Sequence, residues 1–416
     1  MRDQTLSVEA PVAGMPAPQL LLDVKAFLAD PYPGYARLRR EKPVALFKRP
    51  LTGDTYFVTR YDDVLAVLRD NDRFAQERST AGVRETWLQA KLTLGLRNTM
   101  LMRDDPHHRR LRGLVHKAFT PARVEALAAR VGELVGRLLD RVAARGRAEL
   151  IADLALPLPI TVICEMMGVP EPDRVTFRRL VNGLVDVEGQ GLLGLLSTVP
   201  KVAWLFRYLR GLIERRRARR GEDLLSAMIA AEEDGERLSS DELVSSTFLL
   251  LFAGHETTVN LIGNGVLALL DHPDQLERLR DDPSLIDLAV EELLRFTNPV
   301  QVPAPRFARM DLQLSGVSIP RGAAVVAAIA SANRDETRFT HPDALDITRS
   351  PNKHVAFGFG AHYCIGAPLA RLEAKAAFLA LLDRFPRMRL GVPRDQVRWR
   401  RSMSLRGLQA LPLELG

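Results

Sequence analysis

The chain is predicted to be mainly α-helical with small β-sheets, on three observations. Long stretches carry apolar residues at helical spacing, few segments have strand-like composition, and no strand-then-helix alternation recurs. Residues 61–70 (YDDVLAVLRD), 107–145 and 270–296 each place apolar side chains three and four apart, with Pro or Gly at the joins. Residues 54–60 (DTYFVTR) read as a strand, and 312–329 as two strands around a Gly/Pro turn. The missing alternation argues against a doubly wound nucleotide-binding fold, and no repeat of fixed period is present. One helix exceeds the rest. Ser239-Ser240-Asp241-Glu242 offers a capping box, and the pattern continues to Leu270, roughly 45 Å at 1.5 Å per residue. It is apolar on all sides from Thr247 to Ala253, which places it inside the core.

The balance of residue types sets the class. With 46% hydrophobic and 26% charged residues, a chain of 416 residues can bury a large core and is not disordered. No Gly/Ser- or Pro-rich linker interrupts residues 20–416, so one domain is expected there, preceded by a flexible N-terminal arm over 1–19. A net charge of +7 is modest for this size, and the run at 215–220 (RRRARR) reads as a solvated helix end complementing the helix dipole; no nucleic-acid partner is expected. The two cysteines, Cys164 and Cys364, exclude a disulfide framework and suit a reducing compartment. No run approaches the roughly 20 apolar residues of a membrane span. The first residues lack the build of a signal peptide, so a cytoplasmic location is expected.

Two segments carry chemistry. At the middle of the long helix, Ala253-Gly254-His255-Glu256-Thr257-Thr258 interrupts an apolar rod with small residues, a carboxylate and two hydroxyls. A mid-helix Gly costs about 1 kcal/mol relative to Ala, and a buried Glu costs more unless paired. Either Gly254 permits close packing while Thr257 and Thr258 bond back to the preceding turn, or a small ligand sits beside a hydroxyl with the acid feeding it protons. The second segment is Phe357-Gly358-Phe359-Gly360-Ala361-His362-Tyr363-Cys364-Ile365-Gly366, followed by an amphipathic helix, APLARLEAKAAFLALLDRF. Glycines two apart permit a tight loop, and a cysteine at a helix start has its thiolate favoured by the dipole. A lone Cys is more often a small buried hydrophobe. A dinucleotide loop is excluded, because Tyr363 stands where a third Gly is needed.

With these residues in view, the chain resembles the cytochrome P-450 family of haem-thiolate monooxygenases. The motif Phe357-Gly358-x-Gly360-x-His362-x-Cys364-x-Gly366 matches that family's haem-binding loop without substitution. Ala253–Thr258, Glu292-Leu293-Leu294-Arg295 and Ala332-Asn333-Arg334-Asp335 look like further family segments, so the resemblance covers nearly the whole chain. It implies the cytochrome P-450 fold, a single haem domain and haem b as cofactor. By the same resemblance Cys364 is the axial ligand, pushing electron density onto iron, Phe357 packs beside it, and Gly366 lets the backbone approach the ring. Glu256 and Thr257 are implied as the acid and alcohol that deliver protons to dioxygen, beside Ala253 and Gly254. His108 and Arg112, four apart on one helix face, are implied to clamp a propionate together with Arg306 and His362. His107, His116 and His354 have no such warrant and read as surface or structural. Glu292 and Arg295, with Arg334 as a third member, are implied to be structural.

Substrate contacts in this family fall in segments that here supply Val83, Trp87, Leu96, Leu250, Ala253, Val300, Val302 and Leu405. The Leu- and Gly-rich stretch 181–207 would suit a mobile lid over a large apolar pocket. A bulky lipophile such as a polyketide, macrolide, terpenoid or fatty acid is expected. No fused flavin or iron-sulfur domain is apparent, so electrons are expected from an acidic ferredoxin or flavodoxin with an NAD(P)H-dependent reductase, docking on Arg109, Arg110, Lys117 and Arg371. O2-dependent hydroxylation or epoxidation is the activity implied. A peroxide-driven peroxygenase and a non-catalytic haem or lipophile binder are the alternatives; the intact Glu256-Thr257 pair argues against both.

Overall fold

The capping box works as its sequence suggests. In the computed structural model, which describes residues 8–9, 24–47, 54–83, 98–177, 191–233 and 239–416, the Ser239 N–H donates to the Glu242 carboxylate at 2.8 Å and the Glu242 N–H donates to the Ser239 hydroxyl at 3.2 Å. The helix that follows spans Ser240–Asp271, about 48 Å at 1.5 Å per residue. Its residues 243–251 are all buried. Proline sets several other boundaries, because it fits a first helical turn and breaks the preceding one. The 107–145 stretch becomes His107–Ala118, Pro121–Glu125 and Ala128–Ala143, the second capped by the Thr120 hydroxyl accepting from Arg123 N–H at 3.3 Å. The 270–296 stretch divides at Pro273 and Pro283 into Pro273–Asp281, a 3-10 turn at Pro283–Leu285, and Ile286–Thr297.

The chain packs as two compact units, each discontinuous in sequence. One takes Met1–Glu85, Asn264–Cys364 and Asp395–Gln409; the other takes Thr86–Gly263, Ile365–Arg394 and Ala410–Gly416. In the first, strands β1 (Val8–Glu9), β2 (Val44–Phe47), β3 (Thr55–Val58), β4 (Phe74–Ala75), β6 (Arg306–Ala308) and β9 (Ala324–Ala327) form a sheet of order β1-β2-β3-β9-β6-β4. Only β3 and β9 pair in parallel. Val64, Phe74, Ile319 and Val325, all fully buried, centre the core against this sheet. In the second unit β5 (Arg147–Glu149) pairs with β11 (Pro412–Glu414), which pairs with β10 (Arg389–Leu390). Helix Ala128–Ala143 buries Val131, Leu134, Val135, Leu138, Leu139 and Val142, a stripe at three-to-four spacing.

Three sequence expectations change. The 312–329 stretch holds three strands, because Ser315 and Gly316, at φ 46° and 76°, close a tight hairpin between β7 (Leu312–Leu314) and β8 (Val317–Ile319) before the Gly/Pro turn leads to β9. The arm expected to be flexible is docked at Val8 and Glu9, which pair with Phe47 and Leu46; its other residues lie outside those described. Helix Ala367–Arg384 has no exposed residue from Leu369 to Leu382, so it is more deeply buried than an amphipathic surface helix. Among the described residues no helix is long and apolar enough to cross a membrane.

Candidate functional site

The loop before Cys364 is built by left-handed backbone. Gly358 and Gly360 lie at φ 72° and 75°, and a Cβ on Gly360 would stand 3.1 Å from the Leu68 carbonyl oxygen. The Cys364 N–H donates to the Phe357 carbonyl at 2.9 Å and the Tyr363 N–H to that of Gly360 at 3.1 Å, which closes the loop on itself. At its start the Val355 N–H donates to the Asn333 side-chain oxygen at 2.7 Å, and the Ala356 N–H to His354 Nδ1 at 3.2 Å. His354 Nε2 then lies 3.0 Å from Glu291, so this buried histidine is a structural clamp at the loop's base. Phe357 packs with its ring centre 6.3 Å from that of Tyr363. The Cys364 thiol is exposed, as are Phe359 and Tyr363.

Behind that loop Glu292 and Arg295 form a fully buried pair. Arg295 Nε and Nη2 donate to the two carboxylate oxygens at 2.7 and 2.8 Å, and its remaining donors reach the carbonyls of Asn333, Pro342 and Ala344. Burial pulls the Arg295 pKa below the usual guanidinium value, against the Glu292 hydrogen bonds and charge that support it. Arg334 is not the third member expected of this pair. It donates instead to the Phe296 carbonyl at 2.7 Å and to Asp343 at 2.9 Å, while Arg349, Asn352 and the Asp346 N–H complete Glu292. Sequence reasoning passed over Arg349, which no spacing rule connects to a residue 57 positions earlier.

In the other unit, the centre of helix Ser240–Asp271 opens on one face. Ala253 is exposed and Thr257 half-buried, whereas Leu251, His255, Glu256 and Thr258 are buried. Ala253, Glu256 and Thr257 stand at i, i+3 and i+4 and share a side of the helix. Both hydroxyls bond back to the preceding turn, Thr257 to the Ala253 carbonyl at 3.1 Å and Thr258 to that of Gly254 at 3.4 Å. Gly254 is not a tight-packing device, since a Cβ there would meet Ile163 at an ordinary 3.6 Å. A residue missed in the sequence lies close by. Glu373, on helix Ala367–Arg384, is 1% exposed and among the described residues has no hydrogen bond of ordinary geometry to either oxygen; burial pushes its pKa well up while the nearby Thr258 hydroxyl opposes. The signal was present: Leu369, Glu373, Ala377 and Leu381 form an i, i+4 stripe in which one member is acidic.

The remaining expected residues fall as follows. His108 is buried with Nδ1 3.2 Å from Asp105, and burial lowers its pKa although Asp105 acts against this. Arg112 is half-buried on the same helix face. Arg306, 3% exposed, donates to Asn71 at 2.9 Å, and His362 sits half-buried in the 3-10 turn Gly360–His362. Gly366 caps helix Ala367–Arg384. Val300, Val302 and Leu405 come together, through a bridge between Val300 and Leu405 and two N–H donors on the Ser404 carbonyl. Val83 packs elsewhere, on the cluster of Ala75, Ala81 and Phe307. Leu250 is buried in the central helix; of the expected lid, residues 191–207 belong to helix Gly191–Ala218, whereas 181–190, like Trp87 and Leu96, lie outside the described residues. Of the basic residues named for docking, Arg110 is committed to Glu242 and Arg109 to Asp105.

These residues fit an iron porphyrin. The exposed Cys364 thiol, at the end of a closed loop and two residues before a helix N-cap, suits a thiolate ligand to a porphyrin-held metal. An exposed Ala253 in an otherwise buried helix presents the side-chain-poor surface that a flat group needs. The comparisons agree. The family model described as Cytochrome P450 matches residues 46–396, and the chain belongs to that family. It is 43% identical to the polyketide biosynthesis cytochrome P450 PksS of Bacillus subtilis (94% of this chain, 97% of the relative), whose solved structure aligns at a TM-score of 0.87 over 94% and 98% of the two chains. It is 46% identical to the cytochrome P450 monooxygenase PikC of Streptomyces venezuelae, over 93% and 91% of the chains. A structure of P450BioI in complex with an acyl carrier protein ligated to hexadec-9Z-enoic acid aligns at a TM-score of 0.85, with 37% identity, over 94% and 99%. The protein is therefore a cytochrome P-450 monooxygenase with haem as its cofactor.

Proposed function

We propose that the protein inserts one oxygen atom of O2 into a bulky lipophilic substrate, by hydroxylation or epoxidation, using haem b held by Cys364. When bound, the haem supplies dioxygen activation at a thiolate-ligated iron. The chain's own residues do the rest. Phe357, Gly358 and Gly366 shape the loop that presents the sulfur, and two pairs, the buried Glu292 with Arg295 and the half-buried Glu291 with His354, keep it in place. His108, Arg112, Arg306 and His362 supply the cations and donors that two propionates need. Glu256 holds a proton-exchanging carboxylate one residue from the Thr257 hydroxyl, which passes the proton on.

The observation that carries this reading is the exposed Cys364 thiol on its closed loop, together with an intact Glu256-Thr257 step. Reduced, carbon-monoxide-treated protein should show the absorption band of thiolate-ligated haem; a band typical of histidine ligation would remove Cys364 from the site. The polyketide biosynthesis in the name of PksS supports a polyketide substrate, and the carrier-bound fatty acid of P450BioI supports a second, acyl, class. Val300, Val302, Leu405, Leu250 and Ala253 are proposed as apolar substrate contacts. Residues 20–416 are read as one haem domain, since both compact units are discontinuous. The electron donor is proposed to be an acidic ferredoxin or flavodoxin with its NAD(P)H-dependent reductase, in the cytoplasm. Reduction rates that do not fall with ionic strength would count against this docking.

A further inference from the structure

Five side chains in the unit that carries the Cys364 loop stack as alternating rings and guanidinium groups: Phe296, Arg334, Tyr32, Arg406 and Trp399. The Arg334 guanidinium carbon lies 3.8 Å from the Phe296 ring centre and 4.2 Å from that of Tyr32. That of Arg406 lies 5.7 Å from the Tyr32 ring and 3.7 Å from the Trp399 ring. Arg406 is 7% exposed, and no carboxylate pairs with it among the described residues; its side chain donates to the Ala29 carbonyl at 3.1 Å. A buried cation with no carboxylate in contact, only Asp30 acting from farther off, is a costly way to fill space, and an apolar side chain would pack there at less expense. What arginine adds is a plane that stacks on aromatic faces while still donating at its edge.

The main chain of Arg406 shows what the stack holds. Its N–H donates to the Pro299 carbonyl at 3.0 Å and its carbonyl accepts from the Asn264 amide at 2.8 Å. It is the last rung of the short pairing in which Leu405 bridges Val300 and the Ser404 carbonyl accepts from Gln301 and Val302. The half-buried side chains of Val300, Val302 and Leu405 therefore sit on a ribbon whose end is fixed by Arg406.

We propose that Arg406, clamped between Tyr32 and Trp399, is a positioning residue that sets the placement of this apolar wall and thereby the size of lipophile admitted. The proposal rests on the monooxygenase reading, in which those three side chains face substrate. Arg406→Lys keeps the charge and loses the plane; Trp399→Leu removes the outer ring from a half-buried position. The holoenzyme and both variants are titrated with 1-alkylimidazoles from butyl to dodecyl, read by the Soret shift on nitrogen ligation. The ratio of dodecyl to butyl affinity should change about five-fold in Arg406→Lys and in the same direction by less in Trp399→Leu, with the carbon-monoxide band retained. Affinities that are unchanged, or weakened by one common factor at every length, would overturn the proposal. Should Arg406→Lys fail to fold, a constant ratio in Trp399→Leu overturns it alone. Loss of the thiolate band in the unsubstituted protein would instead bring down the monooxygenase reading on which the proposal depends.

Discussion

Glu292 and Glu373 are the same residue type at the same depth, 0% and 1% exposed, in different units of the fold. Glu292 accepts from two arginines, an asparagine and a backbone N–H. Glu373 has only the Thr258 hydroxyl beside it, with no hydrogen bond of ordinary geometry to either oxygen among the described residues, and burial raises its pKa. Donor count, not depth, separates a carboxylate that serves as a hydrogen-bonded girder from a carboxyl whose charge burial penalises. The girder ties Ile286–Thr297 to the stretch that leads into the Cys364 loop. Glu373 stands against Thr258, one residue from the proposed alcohol of the protonation step.

The comparison breaks first at the girder. Arg295→Met leaves a buried carboxylate with only part of its donor set and should cost about 3–5 kcal/mol, the range for splitting a buried ion pair. Chemical denaturation measures the loss, and the variant should also bind haem poorly as the loop loses its support. A loss below about 1 kcal/mol would mean that Arg349 and Asn352 suffice for Glu292. On the side of the central helix, Thr257→Ala should leave folding intact. Electron consumption should continue while product falls on the order of 10²-fold and peroxide accumulates, because the proton no longer reaches the correct oxygen. Unchanged product per electron would exclude Thr257 from the proton path. Thr258→Ala, whose hydroxyl stands beside Glu373 instead, should have the smaller effect on that ratio. Gly360→Ala is smaller again: positive φ and the 3.1 Å approach to Leu68 should cost about 1–2 kcal/mol by thermal denaturation.

The fold was legible where local chemistry sets it. The Ser239 capping box, the proline breaks at 121, 273 and 283, and the strand at 55–58 follow from rules acting within a turn or two. The short strands β4, β6 and β10 were not legible, because two or three residues show no period and exist only through pairing with distant partners. The site divides in the same way. Cys364 and its loop residues were readable as a contiguous motif, and the Glu292-Arg295 pair because it spans one helical turn. Arg349 on Glu292, Arg334 on Tyr32 and Phe296, and Arg406 on Trp399 depend on how far the chain returns after dozens of residues, which no spacing in the sequence encodes. Glu373 is the intermediate case: its place in an apolar stripe was visible, but its shortage of donors was not.

That shortage of donors yields the finest test of the contrast. Burial pushes the Glu373 carboxyl of the folded protein well above the ordinary value of 4.5 at which it ionises in the unfolded chain. Above that pH the unfolded state binds fewer protons than the folded one, so folding stability falls as pH rises, up to the raised folded pKa. The slope is at most about 1.4 kcal/mol per pH unit. Glu373→Gln retains the shape, cannot ionise, and should be less sensitive to pH in that window. The thermal midpoint of the variant relative to the parent should therefore climb as pH rises above 4.5. Parallel midpoints across that range would mean that Glu373 is ionised in the folded state, and so has found donors like those of Glu292.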